Sequence, residues 1–363
     1  KDLGVSSWPG DAWKHGGATV WGYLSYDPVA KLIYYGTANP SPRVPAQRPG
    51  DNLWGAAMFA RDPATGMAKW AFQFTPHDQW DYDGVNEDIL IDATLAGRPR
   101  KLLVHLDRNG FGYTLDRLTG KIVLVKPFAD INWAKGIDLA TGRPIVDPEK
   151  AAQVERKVMN ICPTHIGAKD WEPSAFSPRT GLIYADIFNI CMDLTDHKVA
   201  YIPGTPYDGM DLQTHSNGNT KKWGEFIAWN PLTGQKAWSI PEDFMTMSGV
   251  LATGGDVVFY GTTDGWFRGV DARSGKVLWS QKLSSGITSQ PIAYLGPDGR
   301  EYIAVIAGVG GVASQVMGRK NGFPPRGGTL YVFSVDGASP MSGAGMISTV
   351  GSGAPAAHYD TGD

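Results

Sequence analysis

The stretch Ile227-Ala-Trp-Asn-Pro-Leu-Thr-Gly-Gln-Lys-Ala-Trp238 decides the fold, because its pattern recurs along the chain. An apolar run leads to Asp or Asn, then to Thr-Gly or Ser-Gly, and a tryptophan stands four residues after the glycine. The same pattern fills Phe59–Trp70 and Gly269–Trp279. Weaker copies without that tryptophan lie at 115–121 and 176–184. A recurring segment of this kind indicates that one supersecondary unit is stacked several times.

Each copy has the composition of a β-hairpin. Asp, Asn or Ser opens the turn, and glycine takes the position that needs a positive φ. A hairpin cannot bury its faces alone, so the units must pack against one another, and the tryptophan is a large apolar anchor between neighbouring sheets. The pattern predicts an all-β chain that folds as propeller blades. A β-sandwich with chance turns is the alternative, and the fixed tryptophan offset disfavours it.

The composition excludes several classes of protein. Lys+Arg 33 against Asp+Glu 36 gives a net charge of −3, and no Lys/Arg cluster provides a face for nucleic acid. Hydrophobic residues make up 42%, which excludes global disorder, and no apolar run reaches the roughly 18 residues of a membrane span. We expect a propeller over 1–336 and a flexible, low-complexity tail over 337–363.

The segment Thr75–Gly84 is the densest in chemistry, with acids at 78, 81 and 83 beside a histidine and a tryptophan. On an extended segment Asp81 and Asp83 would point to the same side. Two carboxylates on one face repel unless a cation or proton lies between them, and an oxygen-rich site prefers a hard cation. A polar loop with capping aspartates remains an equal interpretation.

Three further segments carry weaker signals. Asn39 lies beside prolines, where its amide is held in a fixed pose, although Asn-Pro is also a common turn. Small residues around Trp21 leave room for a flat ligand against the indole, although a core tryptophan is the more frequent explanation. Arg108 could bind a carboxylate through two hydrogen bonds, or it could pair with Asp107.

Taken together, these motifs closely resemble the pyrroloquinoline-quinone (PQQ) dependent alcohol dehydrogenases, the group of methanol and ethanol dehydrogenase large subunits. The resemblance extends to about Gly311 and implies an eight-bladed propeller with PQQ in the central funnel, of which this chain supplies the C-terminal five blades. The motifs that carry it are Gly10-Asp-Ala-Trp-Lys14, Trp21-Gly22, Tyr26-Asp-Pro28, Tyr34-Tyr-Gly-Thr-Ala-Asn-Pro40, Arg48-Pro-Gly-Asp-Asn52, Thr75–Gly84 and Asp107-Arg-Asn-Gly110.

The resemblance assigns roles position by position. Trp21 matches the tryptophan that forms the floor under the planar quinone, and Thr19 matches a threonine that hydrogen-bonds a PQQ carboxylate. Asn39 matches the asparagine that ligates the metal. Asp81 matches both a metal ligand and the proposed catalytic base, and Arg108 matches the basic residue near the quinone oxygens.

A second group of positions concerns the middle of the chain. Asp170 falls where methanol dehydrogenases have an asparagine that touches PQQ, and with Trp171 it resembles the ethanol-type branch, so we expect both to line the cofactor site. Cys162 and Cys191 are the only cysteines, which by themselves could form one disulfide or stay reduced. The resemblance implies that they form a structural disulfide.

Asp83 bears on the identity of the metal. The resemblance implies a small residue at this position in calcium enzymes and a second aspartate in lanthanide-dependent ones. A trivalent ion also needs more negative ligands than Ca²⁺ does. We therefore expect a lanthanide, with Ca²⁺ as the alternative, although Asp83 could also face away from the metal.

The resemblance further implies an enzyme that oxidises primary alcohols, or related sugars or aldehydes, by metal-assisted hydride transfer to the quinone. It implies a periplasmic location and a cytochrome c-type electron acceptor. Family members are longer, so we expect an N-terminal propeller fragment or second chain to supply the remaining blades and further cofactor contacts. A non-catalytic propeller that assembles other proteins is the alternative, which the combination of Asn39, Asp81, Asp83 and Arg108 disfavours.

Overall fold

The computed structural model describes residues 4–219 and 221–335, and within these ranges the protein consists almost entirely of strands. The expected tail, 337–363, lies outside the described residues. Beyond the strands there are one short helix, α1 (Gly311–Met317), and 3-10 turns at Val5–Ser7, Ala12–His15, Pro45–Gln47 and Pro148–Lys150. The strands are β1 (Leu24–Asp27), β2 (Leu32–Gly36), β3 (Ala57–Arg61), β4 (Ala68–Gln73), β5 (Ile89–Leu95), β6 (Arg98–Leu106), β7 (Phe111–Asp116), β8 (Ile122–Pro127), β9 (Ala134–Ile137), β10 (Pro144–Val146), β11 (Val158–Ile161), β12 (Ala175–Ser177), β13 (Leu182–Phe188), β14 (Ile190–Asp196), β15 (Met210–Ser216), β16 (Gly224–Asn230), β17 (Gln235–Glu242), β18 (Leu251–Ala252), β19 (Val257–Gly261), β20 (Trp266–Asp271), β21 (Val277–Lys282), β22 (Ile292–Leu295), β23 (Glu301–Ala307) and β24 (Thr329–Ser334).

Five antiparallel sheets follow one another along the described chain as blades of a β-propeller. Blades I to IV each have four strands, in the orders β1-β2-β3-β4, β5-β6-β7-β8, β12-β13-β16-β17 and β18-β19-β20-β21. Blade V has three strands in the described residues, in the order β22-β23-β24. The expectation of an all-β propeller is confirmed, and the five sheets are consistent with five blades in this chain. A total of eight blades in the complete ring stays a prediction.

The turn chemistry of the repeat is as the sequence predicted. The glycines at 66, 120, 181, 234 and 275 all have φ between 66° and 71°. Asp or Asn opens four of these turns, those at Gly66, Gly120, Gly234 and Gly275, and its side chain accepts backbone N–H groups. Asp116 Oδ1, for example, accepts from the backbone N of Leu118 and of Thr119, both at 3.1 Å. The side chain therefore replaces the hydrogen bonds that the reversing backbone cannot make itself.

One of the weaker copies belongs to a different hairpin. The turn at Gly181 joins the first two strands of blade III, whereas the glycines at 66, 120, 234 and 275 join the third and fourth strands of their blades. Its counterpart in blade I is Lys31, a non-glycine residue with φ 54°. The local turn chemistry is the same in both hairpins, so the sequence pattern alone does not separate them.

The repeated tryptophans join neighbouring blades. Trp70 of blade I donates from Nε1 to the carbonyl of Arg117 in blade II at 3.1 Å, and its ring lies against the turn glycine Gly120. Trp238 of blade III makes the equivalent bond to Ala272 of blade IV at 3.1 Å. A tyrosine on the second strand supports each of these contacts: Tyr34 and Tyr184 donate to the same two carbonyls at 3.0 Å. Each of these tryptophans thus packs its ring against the next blade while its indole N–H is hydrogen-bonded.

The long insertion between blades II and III has its own small sheets, β9-β10 and β11-β14-β15. Its stretch 148–158 has a composition compatible with a helix but forms only the 3-10 turn Pro148–Lys150. After this turn the chain runs beside β14, where Val154 forms a β-bridge with Asp196. The next residue, Glu155, has a positive φ of 55°. Pairing with a neighbouring strand thus takes the place of a helix. None of the helices in the described ranges has the length and apolar composition needed to cross a membrane.

Candidate active site

The predicted site residues lie on loops at one end of blades I to III. Asn39 follows β2, Asp81 and Asp83 lie on the link between blades I and II, Arg108 follows β6, and Asp170 lies on the link that leads into β12. Loops at the end of a rigid scaffold commonly carry functional residues. The fold therefore brings together positions that are as much as 131 residues apart along the chain.

Close backbone packing fixes this arrangement at two glycines. A Cβ at Gly36 would lie 1.5 Å from the carbonyl oxygen of Gly84, and one at Gly22 would lie 1.9 Å from that of Val85. The backbone N of Gly84 also donates to the carbonyl of Thr37 at 3.0 Å. Through these contacts the link that carries Asp83 packs closely against the loop that carries Asn39.

Asp81 has an unusual conformation and a free oxygen. Its backbone is in the left-handed region, with φ 72°, so the segment is not extended as the alternation argument assumed. The carboxylate is buried; Oδ2 lies 2.8 Å from Nη2 of Arg43, and Oδ1 has no hydrogen-bond partner. Burial raises the pKa of Asp81 well above its ordinary value, Arg43 opposes this rise, and Asp83 adds to it. A strained backbone with an unsatisfied buried oxygen is typical of a functional position.

The conformation of Asp81 depends on Asp78, which the sequence analysis did not single out. Oδ1 of Asp78 accepts from the backbone N of Trp80, and Oδ2 accepts from those of Asp81 and Tyr82, at 3.1 to 3.2 Å. The buried Arg48 in turn donates to the carbonyl of Asp78. One carboxylate thus closes the tight turn that presents Asp81. Burial raises the pKa of Asp78 to about 6, although Arg48 and the N–H groups lower it.

Asp83 is fully engaged in hydrogen bonds. Its Oδ1 accepts from the backbone N of Asn39 at 2.6 Å, and its Oδ2 accepts from Nε1 of Trp21 at 3.2 Å. Nη1 of Arg108 lies 3.4 Å from the same Oδ2. Asp83 therefore points towards Asn39, Trp21 and Arg108, and its role as a metal ligand stays a prediction.

Arg108 is the buried cation around which the acids gather. It donates from Nε and Nη2 to Oδ1 of Asp170 at 2.8 and 2.5 Å and from Nη1 to the carbonyl of Asp81 at 3.3 Å. The pairing with Asp107 that the sequence left open is not made, because Asp107 pairs with His105 instead. Burial opposes the charge of Arg108, but Asp170, Asp83 and Asp81 outweigh this and raise its pKa.

The remaining predicted cofactor contacts, Thr19, Trp21 and Trp171, are exposed to solvent at the edge of the site. Trp21 is 43% exposed, and its ring lies 5.4 Å from the guanidinium carbon of Arg108. Thr19 is exposed, and its carbonyl accepts from the backbone N of Ala38 at 2.9 Å. Trp171 is 40% exposed and follows the buried Asp170. The structure thus brings Trp21, Arg108 and Asp170 into one connected group and leaves Thr19 and Trp171 accessible at its edge.

The donor atoms at this site suit a hard cation in part. Two carboxylates and the half-buried amide of Asn39 provide oxygen atoms, and Oδ1 of Asp81 lacks a partner. Hard cations such as Ca²⁺ prefer ligands of this kind. Within 4–219 and 221–335, no group of three or more His, Cys, Asp and Glu residues could hold a metal alone. The site therefore fits a metal whose other ligands come from the cofactor or from outside the described residues.

Two further buried clusters adjoin the site. His105 lies between Asp88, 3.0 Å from Nδ1, and Asp107, 3.2 Å from Nε2, with Phe74 stacked at 4.4 Å. Lys169 is buried and donates to Glu87 at 2.7 Å, while both carboxylate oxygens of the buried Glu172 lack partners. Neither Asp88 nor Glu87 stands in a recognisable motif, so only the three-dimensional arrangement reveals these clusters.

The two cysteines are disulfide-bonded, as predicted. Cys162 and Cys191 are joined across 29 residues, and the described chain holds no free thiol. The bond ties the start of the link that leads to Asp170 to β14 of the inserted sheet. It therefore fixes the segment on which Asp170 and Trp171 lie.

The sequence of the chain is similar to those of known quinoprotein dehydrogenases. The family model described as the β-propeller domain of PQQ-dependent glucose, ethanol and alcohol dehydrogenases matches residues 2–129 and 202–303. The chain is 49% identical to a lanthanide-dependent methanol dehydrogenase of Methylacidiphilum fumariolicum (strain SolV), over 85% of this chain and 51% of that protein. It is 38% identical to methanol dehydrogenase (cytochrome c) subunit 1 of Paracoccus denitrificans, over 94% of this chain and 58% of that protein.

The solved structures agree. A europium-containing methanol dehydrogenase superposes with a TM-score of 0.87 at 45% identity, over 91% of this chain and 62% of that one. The chain therefore spans about half to three fifths of the length of these relatives. Each of these matches covers most of the present sequence. The chain belongs to the family of PQQ-dependent alcohol dehydrogenases.

Proposed function

We propose that this chain forms the substrate-oxidising part of a PQQ-dependent dehydrogenase that acts on primary alcohols or on related sugars and aldehydes. One observation carries the proposal: the buried Asp81 has a free carboxylate oxygen and contacts Arg108, whose guanidinium carbon lies 5.4 Å from the exposed ring of Trp21. A planar cofactor on this tryptophan would lie within reach of both a base and a cation. The names of the relatives support the same activity.

The residues divide into two groups by the ligand that they would hold. When bound, PQQ supplies the quinone that accepts hydride, and the metal supplies Lewis acidity. The residues that would hold PQQ are Thr19, Trp21, Arg108, Asp170 and Trp171, and those that would hold the metal are Asn39, Asp81 and Asp83.

Asp81 would also serve as the general base. Its Oδ1 would accept the hydroxyl proton of the substrate, since this oxygen makes no hydrogen bond within the described protein. The turn closed by Asp78 keeps the carboxylate in place, and Arg108 holds the carbonyl of Asp81 from the other side. Pre-set geometry of this kind removes the entropic cost of aligning base and substrate.

We further propose a lanthanide as the metal, with Ca²⁺ as the alternative. Asp83 supports the lanthanide, because its carboxylate adds a negative charge beside Asn39 and Asp81. Two relatives named above, a lanthanide-dependent and a europium-containing enzyme, favour the same ion.

The electron acceptor and location complete the proposal. A relative named as methanol dehydrogenase (cytochrome c) favours a cytochrome c-type acceptor. The Cys162–Cys191 disulfide favours an oxidising compartment, and we propose the periplasm. Fractionation of the source cells with periplasmic and cytoplasmic marker enzymes tests the location, and recovery with the cytoplasmic marker contradicts it.

Reconstitution tests the activity. The protein that contains this chain is titrated with PQQ in the presence of La³⁺ or Ca²⁺, and PQQ binding is followed by absorption and by tryptophan fluorescence. Primary alcohols are then supplied with a dye acceptor. We expect PQQ to bind and alcohols to reduce the dye, and we expect Asp81→Asn to bind PQQ without turnover. Absence of PQQ binding under every metal condition contradicts the proposal and favours a non-catalytic propeller.

A further inference from the structure

Arg43 contacts the proposed base from the solvent side. Its Nη2 lies 2.8 Å from Oδ2 of Asp81, and 28% of the Arg43 side chain is exposed, whereas only 4% of the Asp81 side chain is. Any substrate hydroxyl that reaches the free Oδ1 of Asp81 must therefore come close to this guanidinium. None of the roles assigned above to the predicted site residues uses Arg43.

The backbone of Arg43 is held on both sides. Its N donates to the carbonyl of Asp208 at 3.1 Å, and its carbonyl accepts from Nη2 of the buried Arg48 at 3.4 Å. Nearby, Gln47 exchanges two hydrogen bonds with the backbone of Val199, at 2.8 and 3.0 Å. The segment that presents Arg43 is thus fixed against the loop before β15, which makes the position of the guanidinium a built feature of the site.

The guanidinium has donors to spare. A guanidinium carries five N–H donors, and Asp81 uses only Nη2. Within the described residues no other hydrogen bond or ion pair of this side chain is present. Its remaining N–H groups lie on a partly exposed side chain next to the base, where a ligand oxygen can reach them.

Two cations contact Asp81, Arg43 through its carboxylate and Arg108 through its carbonyl, and the imidazole of His165 lies near both. His165 is mostly buried, and burial together with Arg43 and Arg108 lowers its pKa to about 3, so it is neutral. Arg108 is committed to Asp170, Asp83 and the carbonyl of Asp81. Arg43 is therefore the cation that remains available to an incoming anion at this contact.

We propose that Arg43 selects the substrate by binding its carboxylate, so that the preferred substrates are short primary alcohols that also carry a carboxylate. This inference rests on the proposed function. Arg43 and Asp81 are in direct contact, so the two ends of the substrate must lie only a few bonds apart. A three-carbon ω-hydroxy acid, 3-hydroxypropionate, meets that requirement, and 1-propanol is its neutral counterpart. Planar, paired donors suit a carboxylate especially well.

Steady-state kinetics of the PQQ- and metal-loaded protein test the inference. We expect Arg43→Gln to lower kcat/KM for 3-hydroxypropionate about tenfold or more, since a hydrogen bond to a charged group is lost, and to change that for 1-propanol far less. Arg43→Lys, which keeps the charge, should retain part of the preference. Propionate, which lacks a hydroxyl group, should compete with 3-hydroxypropionate in the parent protein and lose this effect in Arg43→Gln. Arg300→Gln is the matched control, because Arg300 is an exposed arginine that pairs with Asp298 on blade V.

The outcomes separate the possible roles of Arg43. Equal losses for both substrates in Arg43→Gln, or a weaker PQQ affinity in a fluorescence titration, would overturn the inference and assign Arg43 to the base or to the cofactor. Turnover of neutral alcohols without any preference for the anionic one would overturn it too, while the proposed function stands. Absence of turnover with every alcohol would overturn the proposed function and this inference together.

Discussion

The two neighbouring carboxylates of the site differ in what they contact. Asp81 keeps one oxygen free, whereas Asp83 accepts hydrogen bonds from the backbone of Asn39 and from Trp21. If both bind the metal, they contribute differently: Asp81 supplies a ligand and the base, and Asp83 supplies a second negative charge. The Coulomb attraction of a carboxylate scales with the charge of the ion, so a trivalent ion gains more from Asp83 than Ca²⁺ does.

Asp83→Ala should therefore weaken lanthanide binding and leave part of the Ca²⁺-supported turnover. We expect the affinity for La³⁺ to fall at least about 10- to 100-fold, because that loss is typical even when the mutated residue only hydrogen-bonds a metal ligand. Affinity is measured by titrating Eu³⁺ luminescence and by competition with La³⁺, and turnover is measured with each ion. Asp81→Ala is the comparison, and it should abolish turnover with either ion. Unchanged lanthanide affinity in Asp83→Ala would show that Asp83 is not a ligand and would favour Ca²⁺.

Asp78 offers a test of how the base is positioned. Asp78→Ala removes the acceptor of three backbone N–H groups, so the left-handed turn at Asp81 should relax. We expect kcat/KM to fall about 100-fold, because a displacement of about 1 Å of a catalytic group can have an effect of that size. Asp116→Ala is the control, because it removes a similar turn acceptor far from the site. Both variants should lose similar thermal stability. If activity falls equally in both, the turn at Asp78 has no special role in catalysis.

Residue types and local spacing were sufficient to predict part of the site. The dense acidic segment and the family motifs predicted Asp81, Asp83 and Arg108, and these groups do meet. Arg43 and Asp78 were not predicted, because their contacts depend on a reversed turn and on a loop that approaches from 165 residues further along the chain. The positive φ of Asp81 could not be predicted either, because none of the neighbouring residues indicates it in the sequence.

At the scale of elements, the positions of the turns were more predictable than the pairing of the strands. Asp or Asn with a following glycine fixes a hairpin turn locally, so the positions of the turns were right. Which two strands a turn joins depends on the sheet, and Gly181 was placed in the wrong hairpin for that reason. In the same way, the helix-compatible stretch 148–158 forms a single 3-10 turn, because a neighbouring strand competes for its backbone.

The second strand of blade II carries a pH-sensitive contact. Burial lowers the pKa of His105, but hydrogen bonds to Asp107 and Asp88 outweigh this and raise it to about 9. A histidine whose pKa rises on folding stabilises the fold fully below its unfolded value of about 6.5, and this stabilisation is lost as the pH rises through 9. The difference corresponds to roughly 3 kcal/mol, at about 1.4 kcal/mol per pH unit.

Unfolding measurements across pH test this contact. The urea midpoint of the parent protein should fall between pH 7 and 10, and His105→Gln should flatten that part of the curve while lowering stability at pH 7. His197→Gln serves as the control, because His197 pairs with acids on the exposed surface of the inserted sheet. A curve of unchanged slope in His105→Gln would mean that His105 is neutral in the folded protein.

At the scale of the whole molecule, the two outermost blades have apolar surface without a neighbour in the described residues. One face of blade V packs on blade IV through residues such as Val305 and Phe333. Alternating positions on its other face, Ile306, Leu330 and Val332, are 50%, 63% and 47% exposed. On blade I, Leu24 and Tyr26 are 63% and 54% exposed. Apolar faces of this extent usually belong to an interface.

We predict that further blades cover these faces and that the 363-residue chain alone is incomplete. Produced alone, it should bind the dye ANS, associate with itself and fail to hold PQQ. The reason is that sheet faces without a neighbour in the described residues, and the edge of β24 that pairs with none of them, invite association. Supplying the rest of the ring as a second polypeptide should suppress the dye signal and give a defined complex in gel filtration. Leu330→Lys, on the uncovered face, should prevent this assembly, whereas Leu139→Lys, at an equally apolar and exposed position in the hairpin between β9 and β10, should not. A monodisperse 39 kDa monomer that binds PQQ and oxidises alcohols without a partner would contradict the prediction, since five blades would then suffice for the site.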